Sequence, residues 1–318
     1  MLDGWGFHSE DYVAIFAVFE HDQRSEKALL ALAPIADDGV EDQTAESHVA
    51  FLTGILPFFK RVISSIIYLV ADNCSVNTRL DDLLQVPFIG CASHRLNLAV
   101  NVYLSDYEPL QEQMQQLMLK LRGLNKANRL SFLLFCSFCF FLRQKTNLRP
   151  VLRQATRWGS TFKMLDRYFD LRDALDTDDD DIVSLMPSHR QENRLRALRD
   201  QLLDFQGATM KLQEDSTTLL DVRDIFDALV EKHPVVDKYL AADAAIVKDP
   251  DFEASCFGGV RHIPPTSNAV ERLFSVAKHT LSNHRHGMLP VHLETVLFLK
   301  LNRRFWNAGT VTKVVNGQ

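Results

Sequence analysis

A continuous apolar run, SIIYLVA at residues 65–71, stops at the polar pair Asp72 and Asn73. An apolar run of this length without alternation is typical of a central strand that a sheet buries on both faces. A second short strand is predicted at residues 87–90, and a helix is predicted from about 94 to 104. A carboxylate at the carboxyl end of such a strand indicates an α/β sheet whose edge carries a site.

The rest of the sequence adds strands before this region and helices after it. Residues 11–20 and 28–35 predict two strands of a hairpin or meander, and residues 44–62 predict a helix that Pro57 bends late. From about residue 105 the periodicity is helical, and the last part carries two amphipathic segments, VERLFSVA and LETVLFLKLN. The pattern therefore predicts an α/β core followed by a long helical region.

The net charge of −6 gives no sign of a nucleic-acid partner, but the charge is unevenly distributed. Residues 143–172 hold eight basic side chains against two acidic ones, and residues 261–304 hold seven against two. Such blocks are either a face for the phosphate backbone of DNA or simply solvated helix faces. The five cysteines are scattered and no secretory signal opens the chain, which predicts a reducing intracellular compartment. No apolar stretch has the length of a membrane-spanning helix, so no membrane partner is expected.

One segment does not follow the surrounding pattern. SFLLFCSFCFFL at residues 131–142 contains only Ser, Phe, Leu and Cys, all of which have pyrimidine-rich codons, and it lies between two basic helical stretches. It is either retained intron sequence or a buried helix or strand of the helical region.

Three carboxylates stand out by their context: Asp3 before the first strand pair, Asp72 after the apolar strand, and Glu271 at the start of a C-terminal helix. Each one alone is better explained as an N-cap, a turn residue or an exposed helix residue. As a set, they are the ligands that two-metal phosphoryl chemistry draws from separate elements. Hard oxygen ligands of this kind suit Mg²⁺ or Mn²⁺.

The stretch PPTSNAVERLFSVAKHTLSNHRHGMLPVHLETVLFLKLNRRFW closely resembles the C-terminal dimerisation region of hAT-superfamily transposases. It carries a Ser-x-x-x-Glu-Arg-x-Phe-Ser core, an arginine turn and a Glu-x-x-x-Phe-Leu-Lys-x-Asn helix. Upstream, DGW at residues 3–5 and the segments VADNCSVN, CASHRLNLAV and TRWGSTFKML are similar to further landmarks of the family, in the same order. The resemblance covers nearly the whole chain.

The resemblance implies an α/β fold in which an RNase H-like mixed-sheet core is interrupted by an all-helical insertion domain. It assigns residues 1–104 to the first part of the core, 105–260 to the insertion and 261–318 to the C-terminal core helices and dimerisation region. Asp3, Asp72 and Glu271 match the catalytic Asp-Asp-Glu triad of the family, which makes them the expected ligands of Mg²⁺ or Mn²⁺.

The resemblance also implies DNA-contacting residues. Cys91 and His94 match a Cys-x-x-His motif beside the family's active site, and a single motif of this kind does not predict bound zinc. Trp158 matches a tryptophan that stacks on an extruded base, and Arg153 and Arg157 lie beside it in the first basic block. Without the resemblance, Trp158 is equally explained as a packed helix residue.

The C-terminal helices are the expected site of self-association. The candidate dimerisation residues are Phe274, Leu297, Phe298 and Leu301. A helix that is apolar on most sides is buried either in a core or against another chain, and core burial is the stronger interpretation for the helix that carries Phe274.

Two functions stay open, both with DNA and a second copy of the chain as partners and the nucleus as the location. One is a degenerate or domesticated transposase remnant that dimerises and binds DNA. The other is an active Mg²⁺-dependent transposase that cuts and joins DNA strands. The chain starts two residues before Asp3 and carries no upstream zinc finger, which predicts N-terminal truncation and a loosely held Asp3 and favours the remnant.

Overall fold

The computed structural model of the protein describes residues 1–7, 10–22, 24–34, 44–130, 145–154, 157–175, 178–257, 263–281 and 288–315. It is a mixed α/β structure in which helices predominate. The strands are β1 (Leu2–Phe7), β2 (Glu10–His21), β3 (Arg24–Pro34), β4 (Leu69–Ala71) and β5 (Phe88–Gly90). The helices are α1 (Ala45–Ile55), α2 (Ser75–Leu84), α3 (Ala92–Ser105), α4 (Glu108–Leu130), α5 (Trp158–Leu171), α6 (Asp180–Leu185), α7 (His189–Leu212), α8 (Leu219–Lys232), α9 (Asp237–Leu240), α10 (Pro250–Cys256), α11 (Asn268–Thr280), α12 (Pro290–Leu301) and α13 (Ala308–Val315).

The chain divides into two compact units. The first contains Met1–Arg95, Leu212–Asp227 and Ala241–Gln318, and the second contains Leu96–Lys211 and Ala228–Leu240. The predicted insertion at residues 105–260 overlaps the second unit, but residues 212–227 and 241–260 belong to the first. The segment at residues 131–142 lies outside the described residues.

The first unit contains two sheets. β1, β2 and β3 form an antiparallel meander in that order, which confirms the strands predicted at residues 11–20 and 28–35. β4 and β5 form a parallel pair with Leu69 opposite Phe88 and Ala71 opposite Gly90. The predicted strand at residues 65–71 is shorter than expected, because Ile63–Ser65 form a 3-10 turn and only Leu69–Ala71 pair with β5.

Helix α1 begins where the sequence predicts and ends earlier. The Thr44 side chain accepts a hydrogen bond from the Ser47 N–H at 3.1 Å and caps the helix. The helical prediction for residues 44–62 is right only up to Ile55, after which Leu56–Phe59 form a 3-10 turn with Pro57 in its first turn.

Apolar side chains cover both faces of the strands. One cluster packs Ala14, Leu29, Val70 and Ile89 against residues of α11 and α12, including Val270, Leu273, Phe274, Leu293 and Leu297. The other packs Leu2, Val13, Ile15, Leu69, Ala71 and Phe88 against Ala45, Leu52 and Leu80. Neighbouring residues of β4 thus point into opposite clusters, as a strand buried on both faces requires. Full burial of one such side chain stabilises the fold by about 1.5–3 kcal/mol.

A side chain forms hydrogen bonds with backbone groups on the outer edge of β3. Asn302, which follows α12, accepts a hydrogen bond from the Leu29 N–H at 3.0 Å and donates one to the Leu29 carbonyl at 2.8 Å. Glu294 on α12 accepts a further bond from the Leu32 N–H at 3.2 Å. The amide of Asn302 therefore replaces the backbone partner that an edge strand lacks.

The second unit is helical in the ranges that the structure describes, apart from one isolated bridge between Gln154 and Arg157. Its interior holds apolar side chains of α4, α5 and α7, among them Leu117, Met118, Met164, Leu165, Leu198 and Leu202. Across all the described residues, no helix combines the length and the apolarity needed to cross a bilayer.

Candidate functional site

The two parallel strands of the first unit bring Asp72 and Cys91 to one edge. Asp72 directly follows β4 and Cys91 directly follows β5, and the Cys91 N–H donates to the Ala71 carbonyl at 2.8 Å. The strands approach closely here, since a Cβ on Gly90 would lie 2.3 Å from the side-chain nitrogen of Asn73. Glycine at position 90 therefore leaves room for the side chain next to Asp72.

The start of α11 is fixed against this edge by three hydrogen bonds. Ser267 donates from Oγ to Asp72 Oδ1 at 3.3 Å and from its N–H to Cys91 Sγ at 3.3 Å. The Ala92 N–H donates to the Pro265 carbonyl at 3.0 Å. Glu271 lies in the first turn of α11 and is half-buried, so these bonds position a residue from the end of the chain beside the strands.

Asp3 lies within a paired strand. It stands opposite Ala14 on β2, and its own Oδ1 accepts the Gly4 N–H at 2.9 Å. Trp5, two residues further on β1, stacks on Phe274 of α11 with ring centroids 5.5 Å apart. The expectation that Asp3 is loosely held is therefore wrong, because the ladder with β2 and the contact with α11 fix its strand.

The three carboxylates share one electrostatic environment. Burial is the largest cause that raises the pKa of Asp3 to about 7, and the negative charges of Asp72 and Glu271 raise it further. The Gly4 N–H and His94 act in the opposite direction. The charges of Asp72 and Glu271 therefore reach the carboxyl group of Asp3, although the three residues come from β1, the end of β4 and α11.

His94 contacts this group through Asp72. Its Nδ1 lies 3.1 Å from Asp72 Oδ2, and this hydrogen bond is the main cause that raises the pKa of His94 against the effect of burial. His94 and Ser267 together hold both carboxylate oxygens of Asp72, which fixes the orientation of that side chain.

Cys91 is a buried structural residue. Burial raises the pKa of its thiol to about 12, with the charge of Asp72 as the second cause. A thiol of this kind stays protonated at neutral pH, so Cys91 supports the start of α11 as a hydrogen-bond acceptor and has no reactive thiolate.

Whether the site suits a divalent cation depends on its donors. Within the ranges that the structure describes, no three histidine, cysteine, aspartate or glutamate side chains are close enough together to hold a metal ion. The chemistry of the donor set does fit Mg²⁺, because carboxylate oxygens are its preferred ligands and a cation would offset the repulsion that raises the pKa of Asp3.

Trp158 does not present a surface for stacking on a base. It is 5% exposed, at the start of α5, and its ring packs edge-on against Phe205 at 6.4 Å in the second unit. Its backbone N–H donates to Asn97 Oδ1 at 3.3 Å. The prediction that Trp158 stacks on an extruded base is therefore not supported by its position. Trp158 is a packed helix residue, which was the alternative interpretation.

Three cations of the first basic block, Arg153, Arg167 and Arg172, form ion pairs with acidic side chains. Arg153 donates to Glu108 Oε1 at 2.6 Å and to Glu112 Oε2 at 3.0 Å, both on α4. Arg172 lies 2.6 Å from Glu192, and Arg167 lies 3.5 Å from Asp170. Arg157 is exposed at the N-cap of α5. Of the residues predicted to contact DNA, Arg153 is thus held in ion pairs with Glu108 and Glu112 of the same chain.

The predicted dimerisation residues lie in or against the core of the first unit. Phe274 and Leu297 are buried there, and Phe298 and Leu301 are partly buried against the same cluster. The large apolar side chains that α12 exposes are Val291, Val296 and Leu299, at 57%, 44% and 43%. These exposed residues, and not the predicted Phe298 and Leu301, therefore form the outer apolar side of α12.

Sequence reasoning assigned no role to Ser267 or Pro265, which fix α11. Ser267 was visible as the first residue of the Ser-x-x-x-Glu core, four positions before Glu271, and this spacing is the signal that could have marked it. The chain matches no protein-family model, and comparison with curated proteins gave no match.

Proposed function

We propose that the protein is a hAT-transposase-type enzyme that cuts and joins DNA strands with Mg²⁺ at Asp3, Asp72 and Glu271. The observations that carry this proposal are the contact of β1 with β4 and the Ser267–Asp72 hydrogen bond, which place the elements that carry the three carboxylates side by side. A carboxylate set drawn from separate elements is what metal-dependent phosphoryl transfer requires.

The arrangement of the first unit supports an RNase H-like core for this enzyme. An antiparallel β1–β2–β3 meander lies beside β4 through β1, and β4 is parallel to β5. The same two apolar clusters cover both sheets, as they would cover one continuous mixed sheet. In such a sheet, Asp3 and Asp72 stand on adjacent strands.

Each residue of the site has a distinct part in this proposal. Asp3, Asp72 and Glu271 would hold the ion, which when bound activates the attacking oxygen and stabilises the leaving oxygen. Ser267 and His94 orient Asp72. His94 in its protonated form places a positive charge next to the position of a phosphate. The raised pKa of Asp3 applies to the site without an ion, and binding of the ion would require Asp3 to lose its proton.

Nicking of supercoiled plasmid DNA tests the enzyme. We expect Mg²⁺-dependent nicking by the natural chain and a fall to background in Glu271→Gln, because the substitution removes one anionic ligand. Glu231→Gln makes the same chemical change at an exposed position on α8 and should nick at the natural rate. Nicking that survives Glu271→Gln, or that does not need the metal, would overturn the proposal.

The second candidate is a non-catalytic remnant that dimerises and binds DNA in the nucleus. The observation in its favour is that His94 and Ser267 already occupy both oxygens of Asp72. For this candidate we expect no nicking in any metal, together with retained DNA binding and self-association in sedimentation. Metal-dependent nicking that is lost in Glu271→Gln would exclude it.

A further inference from the structure

A second concave feature of the first unit lies apart from the carboxylates. It is a cavity of about 290 Å³ between the start of β3, the segment at residues 212–218 and the start of α11. Three basic side chains line it: Lys27, Arg272 and Arg304. Arg272 and Ala269 line the cavity from one face of α11, whereas Glu271 lies on another face of the same helix.

The basic side chains are close enough to influence one another. Burial is the main cause that lowers the pKa of Lys27, and Arg272 and Arg304 also lower it. One carboxylate, Asp215, bridges two of them: its Oδ1 lies 3.7 Å from Lys27 Nζ and 3.2 Å from Arg272 Nη2. The side chain of Asp215 is 81% exposed, so this bridge is at the surface and weak.

The rest of the lining supplies hydroxyl groups that can donate to an anion and one further carboxylate, Glu214. Arg304 is itself paired with Glu26 at 2.6 Å. Hydroxyl side chains come from Ser25, Ser216, Thr217, Thr218 and Thr266. α8 begins directly after Thr218, and α11 begins two residues after Thr266, so the positive ends of two helix dipoles lie at the cavity. Positive charge, hydroxyls and helix N-termini together are the recognition chemistry of a phosphate group.

We propose that this cavity binds a phosphate group, which takes the place of the Asp215 carboxylate between Lys27 and Arg272. The volume suits a single phosphate or a small phosphate ester and is at the lower end for a ligand site. The same chemistry occurs in a free phosphate ester and in the phosphodiester backbone of DNA. This site is independent of the carboxylate site and of the function proposed for it.

Isothermal titration calorimetry of the full chain with inorganic phosphate tests the proposal. We expect Arg272→Gln to weaken phosphate binding at least tenfold. Arg303→Gln, the same change at an exposed neighbour of Arg304 that does not line the cavity, should leave it unchanged. Asp215→Asn should tighten binding about threefold or more, because it removes the competing carboxylate. A gain of this kind cannot result from misfolding.

Two further ligands distinguish the sources of the phosphate. ATP binding that depends on Arg272 while binding of a short DNA duplex does not would identify a free phosphate ester. Duplex binding that weakens in Arg272→Gln would identify the DNA backbone. The proposal is overturned if phosphate does not bind, or if Arg272→Gln and Arg303→Gln behave alike and Asp215→Asn changes nothing. Glu271→Gln should bind phosphate as tightly as the natural chain does. The phosphate test can therefore succeed or fail whatever the nicking assay shows.

Discussion

The carboxyl group of Asp3 lies among negative charges and is partly removed from water, so its proton is held more tightly in the folded chain than in the unfolded one. The folded pKa is about 7, well above the ordinary aspartate value of 3.8. Stability from this group is therefore present at acid pH and is lost as the pH rises from about 4 to about 7.

We expect Asp3→Asn to remove this loss. Between pH 5 and pH 8, the free energy of unfolding of the natural chain should fall by about 1–3 kcal/mol more than that of the variant. The amide oxygen can still accept the Gly4 N–H, so the strand is kept. Urea unfolding at the two pH values, followed by circular dichroism, measures the difference.

Asp251→Asn serves as the control, since Asp251 is an exposed acid on α10. Parallel pH profiles for the natural chain and Asp3→Asn would contradict the assignment of a raised pKa to Asp3. If Mg²⁺ occupies the carboxylates, added Mg²⁺ should stabilise the natural chain more than Asp3→Asn.

The sequence could name the three carboxylates as candidates but not what surrounds them. The spacing of the Ser-x-x-x-Glu core and the end of the apolar run indicated Glu271 and Asp72. The partners of Arg153 could not be predicted, because Glu108 lies 45 residues away and only the packing of the helices brings it near. The burial of Trp158 depends on Phe205 in the same way.

Among the elements, the sequence predicted strands and helices better than their lengths. Residues 65–71 form one apolar run, yet Ile67 is 74% exposed and only Leu69–Ala71 form strand. The length of β4 is set by its partner, because β5 has only three residues that pair with it. The apolar run alone carries no information on the length of β5. β1 was missed because strand prediction needs a run of flanking residues, whereas pairing with β2 defines it in the fold.

The junction of α12 with β3 leads to a prediction about a single amide. Asn302→Ala should leave the Leu29 N–H and carbonyl buried without partners, which costs about 2–4 kcal/mol of unfolding free energy. Hydrogen exchange of the Leu29 amide measures the effect directly, because this amide should lose its protection. Asn193→Ala, at an exposed position of α7, is the matched control. Unchanged protection of Leu29 in Asn302→Ala would refute the role of this side chain.

In the molecule as a whole, the distribution of charge in the fold differs from its distribution in the sequence. The first basic block has eight cations, but Arg153, Arg167 and Arg172 are paired with carboxylates, two of which lie on α4, one on α5 and one on α7. Fewer cations are therefore available to displace counterions from DNA than the sequence suggests.

We expect a shallow dependence of DNA binding on salt. If all eight cations of the block contacted phosphates, the logarithm of the binding constant would fall with a slope of about 7 against the logarithm of the salt concentration. The pairing predicts a slope well below this value. The slope is obtained from binding constants measured by fluorescence anisotropy of a labelled DNA duplex at salt concentrations from about 50 to about 300 mM KCl. A slope near 7 would contradict this prediction.

The three hydrogen bonds that fix α11 against β4 and β5 have a consequence for synthesis. Ser267 and Cys91 are 176 residues apart, so the ribosome completes both sheets long before it makes the helix that covers them. Until then, the face that carries Val70, Ile89 and Leu29 has no partner from α11 or α12. Nascent chains of this protein should therefore depend on chaperones until the helices α11 (Asn268–Thr280) and α12 (Pro290–Leu301) have emerged from the ribosome.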